Sequence, residues 1–530
     1  MRIFKNAALA LIIPLYLLAC GTPSNSGGGS AVVNIKHNEY RQGIDGFGGS
    51  NAWTRLPRDP DAAQELVKLL YSKTEGMGFT ILRNRIPFRE RLSGDNSPGN
   101  NDGFVERKSD NSYDFSVNAD GTKTFNLNWN SWDISGTKDL IEKIKDLGAD
   151  GPEKLVIMSC PWTPPNNRVT QWKEDVTGVN TRLNYAVDWA VPDVWGRLKK
   201  DKYEDYADLL ADYVKNFEER MGAPLDILSI QNEPNWKVAY ESAYWSGTDM
   251  RDFLKVIERR FPKKGVVLGA GGVGIMFPEF ENFNFDFNVL IKPSLDDPAS
   301  ESIITHIALH QYNGAYDSSP RAGAKAFPEI IAAGKRFWQT EVSGSGPNLP
   351  AGTGIENALY YARMIHFDMT LAEMNAFLYW WLWTNSGSDK NFPGSLIMVE
   401  DGDTVTAALR LYAMGQYSRF IRPGWFRIEC DSSPASGIYS SAYRNPKTGE
   451  IAVVIINDKY SAASVSLNLS DAAFDGLELW RTSANEKLKH IGKQKISRNT
   501  ANVNLAPKSV NTFYGKVKIN GRSRHRVFVL

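Results

Sequence analysis

Ile227-Leu228-Ser229-Ile230-Gln231-Asn232-Glu233-Pro234 is the stretch whose reading decides the fold. It opens as a short apolar run of strand type, Ile227–Gln231, and closes on an amide, a carboxylate and a proline. Asn232, Glu233 and Pro234 then stand at the strand's end. The same pattern recurs outward in both directions. Strands are expected at Ile44–Gly49, Ile81–Ile86, Lys154–Cys160, Val266–Gly269, Ile304–His310, Arg336–Thr340 and Asn375–Trp381. Helical patterns lie between several of them. Asp139–Leu147 and Tyr203–Arg220 place apolar residues at steps of three and four. Eight such units over about 370 residues predict an α/β fold, a (β/α)8 TIM barrel with long insertions; a doubly wound sheet is the alternative.

In a barrel, chemistry sits where the strands end at the C-terminal face. The first strand offers Asn51 and Trp53 there, and the second Arg83 and Arg85. The third gives Trp162 and the fourth Asn232 and Glu233. His310 and Tyr312, then Glu341, then Trp380, Trp381 and Trp383 complete the set. Carboxylates are rarely buried without a partner or a task. Two of them, on strands four and seven among aromatics, amides and an arginine, form the pair that glycoside hydrolysis needs. Either glutamate alone could equally be half of a structural ion pair.

Composition narrows the classes further. The 530 residues carry 61 Lys and Arg against 60 Asp and Glu, so a formal charge of +1 gives no reason to expect nucleic acid as a partner. Aromatics at 12%, with 15 Trp, exclude a largely disordered chain. Indole faces stack on the C–H faces of sugars, although large aromatic cores use them too. Three cysteines make no disulfide framework. His306 and His310 are four apart, but on a strand, and no metal is expected. Gly269-Ala270-Gly271-Gly272-Val273-Gly274 satisfies GxGxxG, yet Pro278 and repeated Asn argue against the helix a dinucleotide would need. The glycines read instead as letting the backbone pass close to a barrel rim. No cofactor is expected.

The N-terminus reads as an address. Arg2 and Lys5 precede an apolar run, Ala7 to Leu18, too short to span a bilayer but suited to a signal peptide. Leu17-Leu18-Ala19-Cys20 resembles a bacterial lipobox, in which Cys20 is lipidated; a plain secretory signal is the alternative. Residues 1–19 are then the signal and 20–30 a flexible Gly/Ser-rich tether. An exported lipoprotein, held by lipid at the outer membrane or cell surface, is the expectation. Beyond Arg422 the texture changes to short alternating strands, Trp425–Glu429, Gly437–Arg444, Glu450–Asn457, Ser464–Leu469 and Val510–Lys516. This is a β-sandwich pattern. The domain plan is 31–43 as an N-terminal strand, 44–415 as the barrel and 416–517 as the sandwich. The basic tail 518–530 has no assigned role, and the sequence sets no oligomeric state.

Gly46-Phe47-Gly48-Gly49, Ser229 to Pro234, Tyr240 to Gly247, His310-Gln311-Tyr312, Trp338 to Glu341 and Gly415 to Gly424 together resemble glycoside hydrolase family 30, nearest its bacterial xylanases. The resemblance runs from about Ile44 to Phe513. It implies a retaining O-glycosyl hydrolase of β-linked polysaccharide, with Glu233 as acid/base and Glu341 as nucleophile. It also implies that residues before the barrel complete the sandwich. Substrate contacts would come from Asn232, Arg83, Trp162, His310, Tyr312, Trp380, Trp381, Trp53 and Trp245. Other activities stay open: a β-1,6-galactanase or glucanase, a glucosylceramidase-like enzyme, or an inactive glycan-binding lipoprotein. One departure bears on specificity. Glucuronoxylan-specific members grip the glucuronate with an arginine after strand eight, and no Arg lies between Trp380 and Val405 here. Arg89, Arg91 or Arg168 in the long loops could replace it. The connections Pro87 to Gly136 and Asn166 to Lys202 leave strand C-termini and are expected to wall the cleft.

Overall fold

The computed structural model describes residues 31–88, 90–92, 103–108, 113–165, 190–191, 197–236, 242–312, 321, 324–344, 354–385, 394–400 and 404–518. Cys20 with the signal and tether, most of the tail, Arg89, Arg168, Trp172, Trp189, Trp195 and Tyr240 lie outside the described residues.

Eight parallel strands close into a barrel. In order around it they are Gly46–Ser50, Ile81–Ile86, Val156–Pro161, Ile227–Ser229, Gly274–Phe280, Ile304–His310, Arg336–Glu341 and Ala376–Asn385. The ring closes twice over, since strand eight pairs with strand seven (Trp338 beside Ala376) and with strand one (Phe377 beside Phe47). Strands one, two and five are buried along their whole length, which parallel strands covered by helices require. Strands two and six lie where the sequence placed them. Strand eight runs four residues further than expected and pairs with an added strand, Ser395–Glu400.

The fifth strand corrects the sequence reading. Val266–Gly269 is not a strand; it leads into a tight turn in which Gly269 and Gly271 take left-handed φ values of +74° and +85°. The strand is Gly274–Phe280, directly after the GxGxxG run. A proline and a glutamate inside it masked a segment with no solvent access along its length.

Helices cover the outside. Tyr203–Met221 ends on Gly222 in the left-handed region, as helix C-termini favour. Gly247–Lys263 starts with a capping box between Ser246 and Asp249. The described part of the 87–136 connection packs partly outward. Its Lys123 and Phe125 backbone amides donate to Asp208 and Asp212 on helix Tyr203–Met221. Its end does reach the mouth: Asp133, in the first turn of helix Trp132–Lys145, pairs with Arg85.

The C-terminal domain is a separate mixed sheet of ten strands with its own aliphatic core. Ala31–Gly43 lies inside it, antiparallel to Phe426–Cys430 and parallel to Ala463–Leu469. The long pair Ala473–Ser483 and Glu486–Lys493 was not anticipated from the sequence. Helix Leu409–Ser418 straddles the planned boundary at 415/416 and joins the domains. Its Gln416 donates to Thr482 Oγ1 at 2.9 Å and accepts from Thr512 at 2.6 Å, while Ser418 donates to the Met77 carbonyl at 2.6 Å.

Candidate active site

Five strands deliver polar side chains to one buried point at the C-terminal end of the barrel. Arg83, inside strand two and without solvent access, is the hub. Its Nη1 donates to Glu341 Oε2 at 2.6 Å, its Nη2 to Asn232 Oδ1 at 2.6 Å and its Nε to Glu279 Oε1 at 3.2 Å. One planar guanidinium thus fixes side chains from strands four, five and seven, a geometry that lysine could not reproduce. With Oδ1 taken by Arg83, Asn232 keeps its amino group as the donor.

Glu233 follows Asn232 at the tip of strand four and adopts a left-handed φ of +44°. Its Oε1 lies 2.9 Å from His310 Nδ1. Glu341 ends strand seven; its Oε1 accepts from the Tyr312 hydroxyl at 2.8 Å. Donor atoms of Glu233, His310 and Glu341 all lie within 4.8 Å of one another. Such a trio could ligate a cation, but Arg83 already brings a fixed positive charge to the same carboxylates. Non-glycine residues in the left-handed region include Glu233, Glu279 and Trp53, all at this mouth, where backbone strain tends to be stored.

Burial and charge pull these groups in different directions. Burial raises the Glu341 carboxyl above its ordinary value, against the pull of His310, Arg83 and the Tyr312 hydroxyl, and Glu233 adds to the rise. Burial would lower His310, but the anionic Glu341 together with Glu233 and Glu279 raises it to about 9. Burial would also raise Glu279; Arg83 and His310 outweigh it and hold that carboxylate well below the usual range.

The aromatic residues divide by position. Trp53, 37% exposed, covers the mouth with its ring 5.4 Å from Trp162 and 5.8 Å from Trp380. Trp381 is half-buried beside Trp380, 5.2 Å ring to ring, and its Nε1 donates to the Ala52 carbonyl. Trp53 and Trp381 thus keep part of their rings open at the mouth. Trp162 instead lies beneath them, fully buried, with its ring 4.8 Å from the Arg83 guanidinium, so it supports Arg83 and offers no open floor. Trp245 is a correction. It is 1% exposed, packed on Tyr203 and Phe253, with Nε1 bonded to Gln231 Oε1, and it cannot stack on a substrate. The residue faces the helices behind strand four, a direction that its distance from Glu233 in sequence does not reveal. Trp383 is likewise core. Glu279 was missed altogether, because the strand that carries it was misplaced.

A closed parallel barrel with two facing glutamates, an arginine hub and an indole-lined mouth defines the class of barrel O-glycosyl hydrolases. Residues 424–513 match the model of the glycosyl hydrolase family 30 beta sandwich domain. The chain is 25% identical over 509 residues to a glucuronoxylanase of Bacillus subtilis, covering 95% of this chain and 96% of that one. A glycoside hydrolase family 30 subfamily 8 xylanase from Clostridium acetobutylicum superposes with a TM-score of 0.64 at 25% identity, over 91% of this chain and 99% of the other. An endo-β1,6-glucanase shares the fold at TM-score 0.61 and 17% identity, over 93% and 96% of the two chains. By these comparisons the chain is similar to glycoside hydrolase family 30 proteins, xylanases among them.

Proposed function

We propose that this chain is a retaining endo-β-glycanase that cleaves xylan-like backbones without needing a glucuronate branch. The observation that carries the reading is the Glu233–Glu341 pair, with carboxyl oxygens within 4.8 Å. Retaining enzymes hold their carboxyls about 5–5.5 Å apart, while inverting ones need roughly 6.5–9.5 Å to admit a water between. Glu341, oriented by Arg83 and Tyr312, attacks the anomeric carbon. Glu233, held by His310, gives its proton to the departing oxygen. A water then loses a proton to Glu233 and opens the glycosyl-enzyme. The Asn232 amino group is placed to donate to the sugar 2-OH, where such contacts strengthen in the transition state.

The backbone preference rests on the relatives named above. Independence from the branch rests on the missing arginine after strand eight, since a buried carboxylate wants a bidentate guanidinium. The test compares kcat/KM on glucuronoxylan and on unbranched or arabinose-branched xylan. Similar values are expected. A preference of roughly 10²–10³-fold for glucuronoxylan, the effect of an essential charged clamp, would overturn the branch claim. Inactivity on every xylan would overturn the backbone claim and turn attention to 1,6-linked glycans.

The polysaccharide partner is met outside the cytoplasm in this reading, on a protein tethered through Cys20. No helix among the described residues is long and apolar enough to cross a membrane. Cys20→Ser should move the protein to the soluble fraction; its retention with the membranes would contradict lipid anchoring.

A further inference from the structure

The buried cluster contains one carboxylate more than the reaction needs. Glu279 is without solvent access at the end of strand five. It accepts from Arg83 Nε at 3.2 Å and from the Ser229 hydroxyl at 2.5 Å, and its Oε1 lies 3.6 Å from His310 Nε2. It therefore touches the two cations of the site on the side away from the substrate-facing glutamates. Glu341 meets the same guanidinium through Nη1, and Glu233 meets the same imidazole through Nδ1.

The charges can be counted in each half of the reaction. The reading of Glu233 as acid/base and Glu341 as nucleophile is assumed here. In the resting enzyme Glu341 and Glu279 are anions, Arg83 and His310 are cations, and Glu233 carries its proton, so the five groups sum to zero. In the glycosyl-enzyme Glu341 is an uncharged ester and Glu233 is the anion. Glu279, Arg83 and His310 are unchanged, and the sum is again zero. A net charge buried here would be costly in both states. With Glu279 neutral, the same count gives +1 throughout, and the only cation able to discharge is His310.

We propose that Glu279 is a positioning residue whose fixed negative charge keeps the buried cluster neutral in both halves of the reaction, so that His310 remains cationic and Glu233 always faces an N–H donor. The other ionisable groups around His310 do not alter the count. Burial pushes the Tyr312 hydroxyl and the Cys160 thiol up, so both are neutral. Glu281 stands outside the five hydrogen-bonded groups counted; burial raises its carboxyl, and Asn282 beside it donates to it.

The test is Glu279→Gln in the full chain, which keeps the shape and an acceptor for Arg83 and removes the charge. The His310 ring nitrogens, assigned by comparison with His310→Gln, are followed by NMR from pH 6 to 10. In the parent enzyme they should report a cation to about pH 9. In Glu279→Gln the transition should fall by roughly 1–3 pH units, and the alkaline limb of kcat/KM should fall with it. Glu279→Asp should restore both. A merely structural role would lower activity equally at every pH and leave the His310 transition in place; that result would overturn the proposal. Should Glu279→Gln fail to fold, the parent enzyme decides. Its His310 must be cationic at neutral pH both free and with a trapped glycosyl group, and a neutral ring in either state would refute the account. The NMR readout needs no turnover, so its failure is distinct from a failure to cleave xylan.

Discussion

At the barrel mouth, Arg83, Glu233, Glu279, His310 and Glu341 are packed against one another with almost no access to water. In the sandwich, the inner face is Val33, Ile35, Ile428, Val453, Val465, Leu467 and Phe513, and the polar residues pair along the outside, as Ser466 does with Asn502 and Ser464 with Asn504. Both regions exclude water. In the sandwich core the excluded side chains are apolar and gain by it, at about 25 cal/mol per Å² of apolar surface. At the mouth each charge loses hydration and is compensated only by its buried partners. The contrast separates the residues that hold the protein together from those that give it chemistry, and substitutions can test that separation.

The largest effect should come from Glu341→Gln. Losing the nucleophile should lower kcat/KM of the folded protein on xylan by at least roughly 10⁴-fold, although the melting temperature also drops because Arg83 loses a buried counter-charge. Unchanged activity would mean the wrong pair has been named. Glu233→Ala comes next. Turnover of polysaccharide should fall about 10²–10⁴-fold, yet aryl glycosides whose leaving group needs no proton should still form the glycosyl-enzyme, and added azide should speed their turnover. Azide rescue of Glu341→Ala instead would reverse the two roles.

Leu467→Ala should do the opposite. A fully buried leucine of the sandwich core, truncated, costs about 2–5 kcal/mol of stability, read from denaturant or thermal unfolding, with kcat/KM of the folded protein unchanged. A change in kcat/KM would show that the sandwich reaches into catalysis.

Much of this contrast was legible in the sequence. Strands two and six could be bounded from their residues because they are apolar runs with clear ends, and the pair Glu233 and Glu341 followed from where strands four and seven stop. Strand five was not legible. Its core-facing residues are interrupted by Pro278 and Glu279, which propensity reads as a break, and only the closed ring shows why a buried strand would carry a glutamate. Trp245 failed for another reason. Sequence distance from Glu233 says nothing about which side of strand four an indole faces, and Tyr203 and Phe253 settle that from a neighbouring helix each.

A smaller effect sharpens the electrostatic side. Glu341, raised by burial, must be ionised to attack, so the acid limb of kcat/KM should lie above the ordinary carboxylate range. Stability follows a second group. His310, ordinarily near 6.5 and raised to about 9, stabilises the fold fully below 6.5, and that contribution is lost as pH rises through about 9. Thermal unfolding followed across that window should show the decline in the parent enzyme and not in His310→Gln.

The central claim is that Glu341 forms a covalent bond to the sugar with Glu233 beside it as acid/base. A fluorinated xylosyl or xylobiosyl fluoride, which forms the glycosyl-enzyme but slows its hydrolysis, tests this directly when the labelled protein is digested and mapped by mass spectrometry. The account predicts one added glycosyl group, on the peptide that contains Trp338-Gln339-Thr340-Glu341 and at Glu341 itself. A label on Glu233, or no label on an enzyme that turns over xylan with inversion at the anomeric carbon, would contradict it.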